Sequence, residues 1–213
     1  MKHITLKLAV TVLAFFVGVT ATALWPAPST SPKICLYDSY IPIGTLSPWD
    51  SKYITEFYSA MLEQPFSCLD ENTEAYRLLY VPAFETPASI RVWRDGGRKF
   101  IELRQLASIG MPQYGAKDMK KIVTRPLSED EWDRFYRLLE KSNFWSAPTQ
   151  GGRAGLDGVG ILLEGKKEGK YHAVGRRLPE EQNFVDMCNY LLEISGREQE
   201  DHERAYTEAH SST

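Results

Sequence analysis

The sequence predicts an α+β fold: one antiparallel sheet of about five strands with helices packed on one face. Three observations predict it. Ile90–Asp95 and Arg98–Leu103 are alternating runs joined by Gly96-Gly97, the signature of a tight β-hairpin. Leu127 to Leu139 places a helix-start signature before apolar residues at helical spacing. A second alternating hairpin and a second amphipathic helix then follow, ending at Gly196. Hairpins interleaved with helices, rather than single strands alternating with helices, favour antiparallel pairing.

Taken in order, Asp50 can cap a helix carrying Ile54, Phe57, Tyr58, Met61 and Leu62, and Pro65 ends it. Ala75–Val81 is dense in Leu, Tyr and Val and reads as a strand. In the first hairpin a two-residue turn pairs Val92 with Ile101 and Ile90 with Leu103 on one face. It pairs Trp93 with Phe100 and Arg91 with Glu102 on the other. After a loop from Ser108 to Gly115, Lys121–Arg125 is a further short strand.

Ser128 and Glu131 have capping-box spacing, with Leu127 and Trp132 placed for a hydrophobic staple. Trp132, Phe135, Tyr136 and Leu139 share one helical face, and the helix stops near Ser142–Asn143. Phe144 and Trp145 are expected to fold back onto the core. In the second hairpin, Val159, Ile161 and Leu163 share one face, and Gly160, Leu162 and Glu164 the other. Gly165 and Gly169 bracket a loop at Lys166–Glu168. The return strand alternates Tyr171, Ala173 and Gly175 with His172, Val174 and Arg176. Pro179 suits the first turn of the last helix, whose stripe is Phe184, Met187, Cys188, Leu191 and Ile194.

The chain has 213 residues and 43% hydrophobic content, enough for one domain with a real core and too little for two large ones. A formal charge of −3 gives no electrostatic footprint for nucleic acid. Lys2, His3 and Lys7 precede an uncharged run from Leu8 to Trp25, and Ala21-Thr22-Ala23 has the form of a signal-peptidase site. Residues 1–25 therefore read as a signal peptide or as an N-terminal membrane anchor. Both readings put the domain outside the cytoplasm, periplasmic, secreted or anchored in the inner membrane, with membrane contact only through residues 8–25. Residues 26–49 read as a Pro/Ser-rich linker, 50–196 as a single α+β domain, and 197–213 as a polar, disordered tail.

In an oxidising compartment Cys35 and Cys68 are the first choice for a disulfide, and Cys188 reads as a buried thiol. No histidine makes a close ligand pair with a cysteine, so neither metal nor cofactor is expected. The best polar cluster is the turn Gly155-Leu156-Asp157-Gly158 with His172 and Glu164. An Asp157–His172 pair can orient an imidazole as a general base, but no Ser or Cys sits at a nucleophile elbow. The plain alternative makes Asp157 a turn residue and His172 an exposed strand residue. Arg176 and Arg177 on one hairpin, and Arg91, Arg94 and Arg98 on the other, suit either an anionic ligand or local ion pairs. Trp93, Trp132 and Trp145 read as core aromatics rather than pocket walls.

The combined pattern of EDEWDRFYRLLEKSNFW, GLDGVGILLEG, GKYHAVGRR and CNYLLEISG resembles a widespread group of bacterial exported or membrane-anchored proteins with no established activity. The resemblance covers residues 74–196 and implies one fold and export, not a chemistry. The group often has an aromatic after the Leu-Asp-Gly turn, where this chain has Gly160. The function expected is a non-catalytic extracytoplasmic module binding a protein or small ligand, with Asp157, His172 and Arg176 as candidate ligand contacts. A hydrolase centred on Asp157 and His172, and an inhibitor or immunity-type protein, remain the alternatives.

Overall fold

The computed structural model describes residues 40–112, 118–152 and 158–197. Along them run α1 (Pro48–Ala60), β1 (Glu74–Pro82), β2 (Ala88–Asp95), β3 (Arg98–Leu106), β4 (Met119–Pro126) and α2 (Glu129–Lys141). Then follow β5 (Gln150–Gly152), β6 (Val159–Lys167), β7 (Lys170–Arg177) and α3 (Gln182–Ser195). The strands form one sheet in the order β4-β3-β2-β1-β6-β7-β5. The fold is α+β, and every pairing is antiparallel except that of β5 with β7.

The first hairpin takes the expected register, Val92 opposite Ile101 and Trp93 opposite Phe100. Its turn has φ of 53° at Gly96 and 83° at Gly97, the paired left-handed backbone of a tight hairpin. The second hairpin corrects the expected loop at Lys166–Glu168. The strand continues through Gly165, Lys166 and Lys167, and the turn is Glu168–Gly169, with φ of 51° and 73°. Gly165 is a packing glycine. A Cβ there would lie 2.6 Å from the Phe144 ring and 2.9 Å from the Tyr76 ring.

The start of α2 is built as its sequence predicts. Ser128 Oγ accepts from the Glu131 N–H at 3.2 Å, and Glu131 Oε2 accepts from the Ser128 N–H at 2.9 Å. Arg125 adds a bond to Glu131 at 2.7 Å and donates to the Ile194 carbonyl at 2.6 Å, tying β4, α2 and α3 together. Ser128→Ala should cost about 1 kcal/mol in urea denaturation. The Arg125 hydrogen bond, with the Ser128 cap, holds the Glu131 carboxyl down at about 2. A depressed carboxylate contributes stability above its unfolded pKa and loses it as pH falls through the folded value. The deficit of Glu131→Gln against the native chain should therefore be full at pH 6 and narrow between pH 4.5 and 2.

Asn143, at φ 56°, ends the turn after α2 and sends Phe144 into the core. Trp145 remains 37% exposed. The last helix starts at Gln182, not at Pro179. Arg176 Nε binds Glu181 at 2.9 Å, and Glu181 is held in extended backbone as the residue before the helix. Phe184, Met187, Cys188 and Leu191 are buried, and Gly196 closes the helix at φ 70°.

Helices α2 and α3 share one face of the sheet, where Trp132, Phe135, Phe184 and Met187 meet Leu78, Ile90, Ile101 and Leu163. The expectation that all helices lie on that face is corrected by α1. Ile54, Phe57, Tyr58 and Met61 pack on the opposite face, against Leu79, Leu106, Leu162 and Ala173. The cause is in the central strands. β1 and β6 present Leu on both sides, Leu78 and Leu79 in one and Leu162 and Leu163 in the other, so neither face can be left to water. Six of the seven strands are segments the sequence marks; the seventh is β5, three residues with two glycines and no alternating pattern to read.

Two boundaries also move. Ile41 and Leu46 are buried in the α1 core, so residues 40–47 belong to the domain rather than to a linker. The cap of α1 is Ser47, whose Oγ accepts from the Asp50 N–H at 3.1 Å, with Pro48 in the first turn where its missing N–H costs nothing. Among the described residues no helix is long and apolar enough to cross a membrane. The run from Leu8 to Trp25 and the tail from residue 198 lie outside them.

Candidate functional site

The face under α1 is organised in rows of residues directly opposite one another across the strands. The first row runs Thr124, Glu102, Arg91, Arg77, Glu164, Ala173 over six strands. Arg77 is fully buried. Its Nε and Nη2 donate to Glu164 Oε2 at 3.0 and 2.8 Å, and its Nη1 donates to Glu63 at 3.2 Å and to the Gln64 carbonyl at 2.8 Å. The guanidinium lies 3.8 Å from the Tyr58 ring centre and 4.6 Å from that of Phe66. Glu164 also accepts from the hydroxyls of Tyr58 and Tyr171.

Arg77 and Arg91 sit side by side with like charge, and Glu63 compensates them from the chain beyond α1. Burial pushes the Glu63 carboxyl up, but Arg77, Arg91, the Ser89 hydroxyl and Arg104 outweigh it and hold it below its usual range. Glu102 takes Arg91 at 3.0 Å, Arg104 at 2.8 Å and Thr124 at 3.0 Å. Three arginines thus meet three glutamates, a balanced network that holds structure rather than offering a free charge.

The next two rows on this face are different in kind. One runs Leu79, Leu162, Gly175, Gln150, and the other Val81, Gly160, Arg177, Gly152. With Leu46, Tyr53 and Ile54 on the α1 side, they enclose a groove of about 330 Å³. Two glycines make its floor. A Cβ on Gly160 would find nothing closer than 3.7 Å, and one on Gly175 nothing closer than 3.6 Å. Neither has the left-handed backbone that demands glycine. One end of the groove is tied by Gln150 Nε2, which donates to Asp50 Oδ2 at 3.1 Å. Burial raises the Tyr53 phenol, and the Arg177 charge partly opposes this. Volume, apolar walls and a few polar groups are the features of a small-molecule site.

A larger hollow of about 670 Å³ lies at the hairpin tips beside α2, lined among others by Glu74, Arg94, Tyr136 and Lys167. Four of its polar groups, Glu74, Arg94, Tyr136 and Lys167, pair among themselves. Glu74 accepts from the Tyr136 hydroxyl and, at 3.2 Å, from that of Tyr76, with Lys167 and Arg94 each at 3.7 Å.

The residues singled out in the sequence do not converge. His172 is half-buried on the α2–α3 face, its Nε2 3.0 Å from the Ala147 carbonyl and its ring against Phe144 and Trp145. Glu164 is on the opposite face, so the sheet separates these two members of the expected cluster. Asp157 lies outside the described residues. Arg176 borders the groove, but its guanidinium is committed to Glu181 and to the Pro148 carbonyl at 3.0 Å and the Gly175 carbonyl at 2.9 Å. Arg91 and Arg94 point to opposite faces: Arg91 binds Glu102, whereas Arg94 lies over the Trp132 ring.

Cys68 is disulfide-bonded and Cys188 is a buried free thiol, while Cys35, the expected partner of Cys68, lies outside the described residues. Among the described residues no three His, Cys, Asp or Glu side chains are grouped as a metal site requires. The groove glycines carried a readable signal: glycine inside a strand marks a bulge or a close approach by something else. No family model matches the chain, and neither curated proteins nor solved structures give a match.

Proposed function

We propose that the protein is an extracytoplasmic, non-catalytic binding module that takes a small, largely apolar ligand in the groove between α1 and the β1–β6–β7 part of the sheet. The N-terminal pattern of residues 1–25 supports the location. One observation carries the binding reading: Gly160 and Gly175 are strand glycines that neither backbone conformation nor neighbouring atoms require. Glycine inside a strand weakens it, and here the missing side chains leave space over an apolar floor.

The test is Gly160→Val with the neutral fluorophore N-phenyl-1-naphthylamine. The native chain should bind it saturably at one site. In the variant binding should disappear while stability holds or rises by about 0.5–1 kcal/mol, since Val suits a strand better than Gly. Absence of saturable binding to the native chain, or binding unchanged in the variant, would overturn the reading.

A further inference from the structure

We infer that the groove's ligand is a compact anionic amphiphile, a ring system or short hydrocarbon body bearing one acid group, with the acid at Arg177. The inference rests on the groove reading above. The two rows of the floor order the site along the strands. Leu79, Leu162 and Gly175 lie at the level of Gln150, and Val81 and Gly160 lie at the level of Arg177. Two residues along a strand separate these levels by about 6.8 Å.

The charges along this path are unequal. Among the described lining residues Asp50 is the one acid. It already accepts from the Ser47 hydroxyl at 2.6 Å and the Gln150 amide at 3.1 Å, at the first level. Of the two lining arginines, Arg176 is turned toward the α3 side, over the Phe184 ring and onto Glu181. Arg177 alternates with it, lies in the groove row opposite Gly160 and is exposed. A guanidinium carries five donors in a planar fork, so it can hold a carboxylate beside another partner.

An apolar body over Gly175 and Gly160 therefore ends at a cation. A volume of about 330 Å³ is at the small end for ligand sites and suits a compact body.

The experiment compares two probes of one shape, 2-naphthoate and 2-naphthalenemethanol, by titration calorimetry on the full chain. The acid should bind about tenfold or more tighter, the scale of a charge-assisted pair. Arg177→Gln should erase that preference, and Gly160→Val should abolish binding of both. Equal affinities in the native chain, or a preference that survives either variant, would overturn the acid end. Binding of the alcohol without preference overturns this inference alone, whereas binding of neither probe overturns the groove reading with it.

Discussion

Arg77→Met should lower the unfolding free energy by about 3–5 kcal/mol, the usual cost of removing one partner of a buried ion pair. The substitution keeps most of the hydrophobic bulk between Tyr58 and Phe66 but leaves Glu164 and Glu63 without the guanidinium they share. Both carboxylates are buried, so water cannot replace it. Chemical denaturation followed by circular dichroism measures the loss. A double change that also makes Glu164→Gln should recover part of it, because Arg91 and Arg104 then face Glu63 and Glu102 in equal number. The deficit of the single variant should also depend on pH. Stripped of Arg77, Glu63 loses the strongest influence that opposes its burial, so its carboxyl is held down less and its penalty is relieved as pH falls and it binds a proton. The difference between variant and native chain should be widest near pH 7 and narrow toward pH 4.5. A flat difference over that range would remove electrostatics as the cause.

Gly165→Val should be the second large effect, about 1–3 kcal/mol or more destabilising. The same substitution at Gly160, five residues earlier on the same strand, is expected to be neutral or favourable. The contrast comes from the two faces of β6. A side chain at position 165 meets the Phe144 and Tyr76 rings, which are locked in the α2–α3 core, whereas one at position 160 enters the groove. Thermal unfolding of the two variants side by side tests this. Similar melting temperatures would mean that the Phe144 ring can yield.

Parts of the fold that depend on neighbours in sequence were legible. The Gly96–Gly97 hairpin pairs residues only a few positions apart, and its alternation and turn chemistry agree on one register. The capping box of α2 is likewise local, written in four residues. The side on which α1 packs is not local. Its apolar stripe is visible, but which face it covers depends on how β1 lies between β2 and β6, strands separated by more than sixty residues. Glycine was the most misleading letter. Gly165 looked like a loop boundary and is excluded from bearing a side chain by two aromatic rings, while Gly160, notable in the sequence as standing where an aromatic is common, borders the groove.

His172 and Glu164 are eight positions apart, and in a hairpin parity, not distance, decides the face. The Glu164↔Ala173 register puts His172 on the other side. The Arg91–Glu102 pair was readable from the hairpin, but its continuation through Arg77 to Glu164 needed the long-range pairing of β1 with β6.

The charged row has a consequence for how the chain reaches this state. Its acids and arginines come from positions 77, 91, 102 and 164, with Glu63 entering from outside the sheet. The β6–β7 hairpin can close early on its own turn, but Glu164 then waits in water until β1 arrives. Pairing of β1 with β6, far apart in sequence, therefore brings charge, register and desolvation together. High contact order of this kind slows folding. It also means that the amides of β1 and β6 should exchange their hydrogens only when the whole sheet opens.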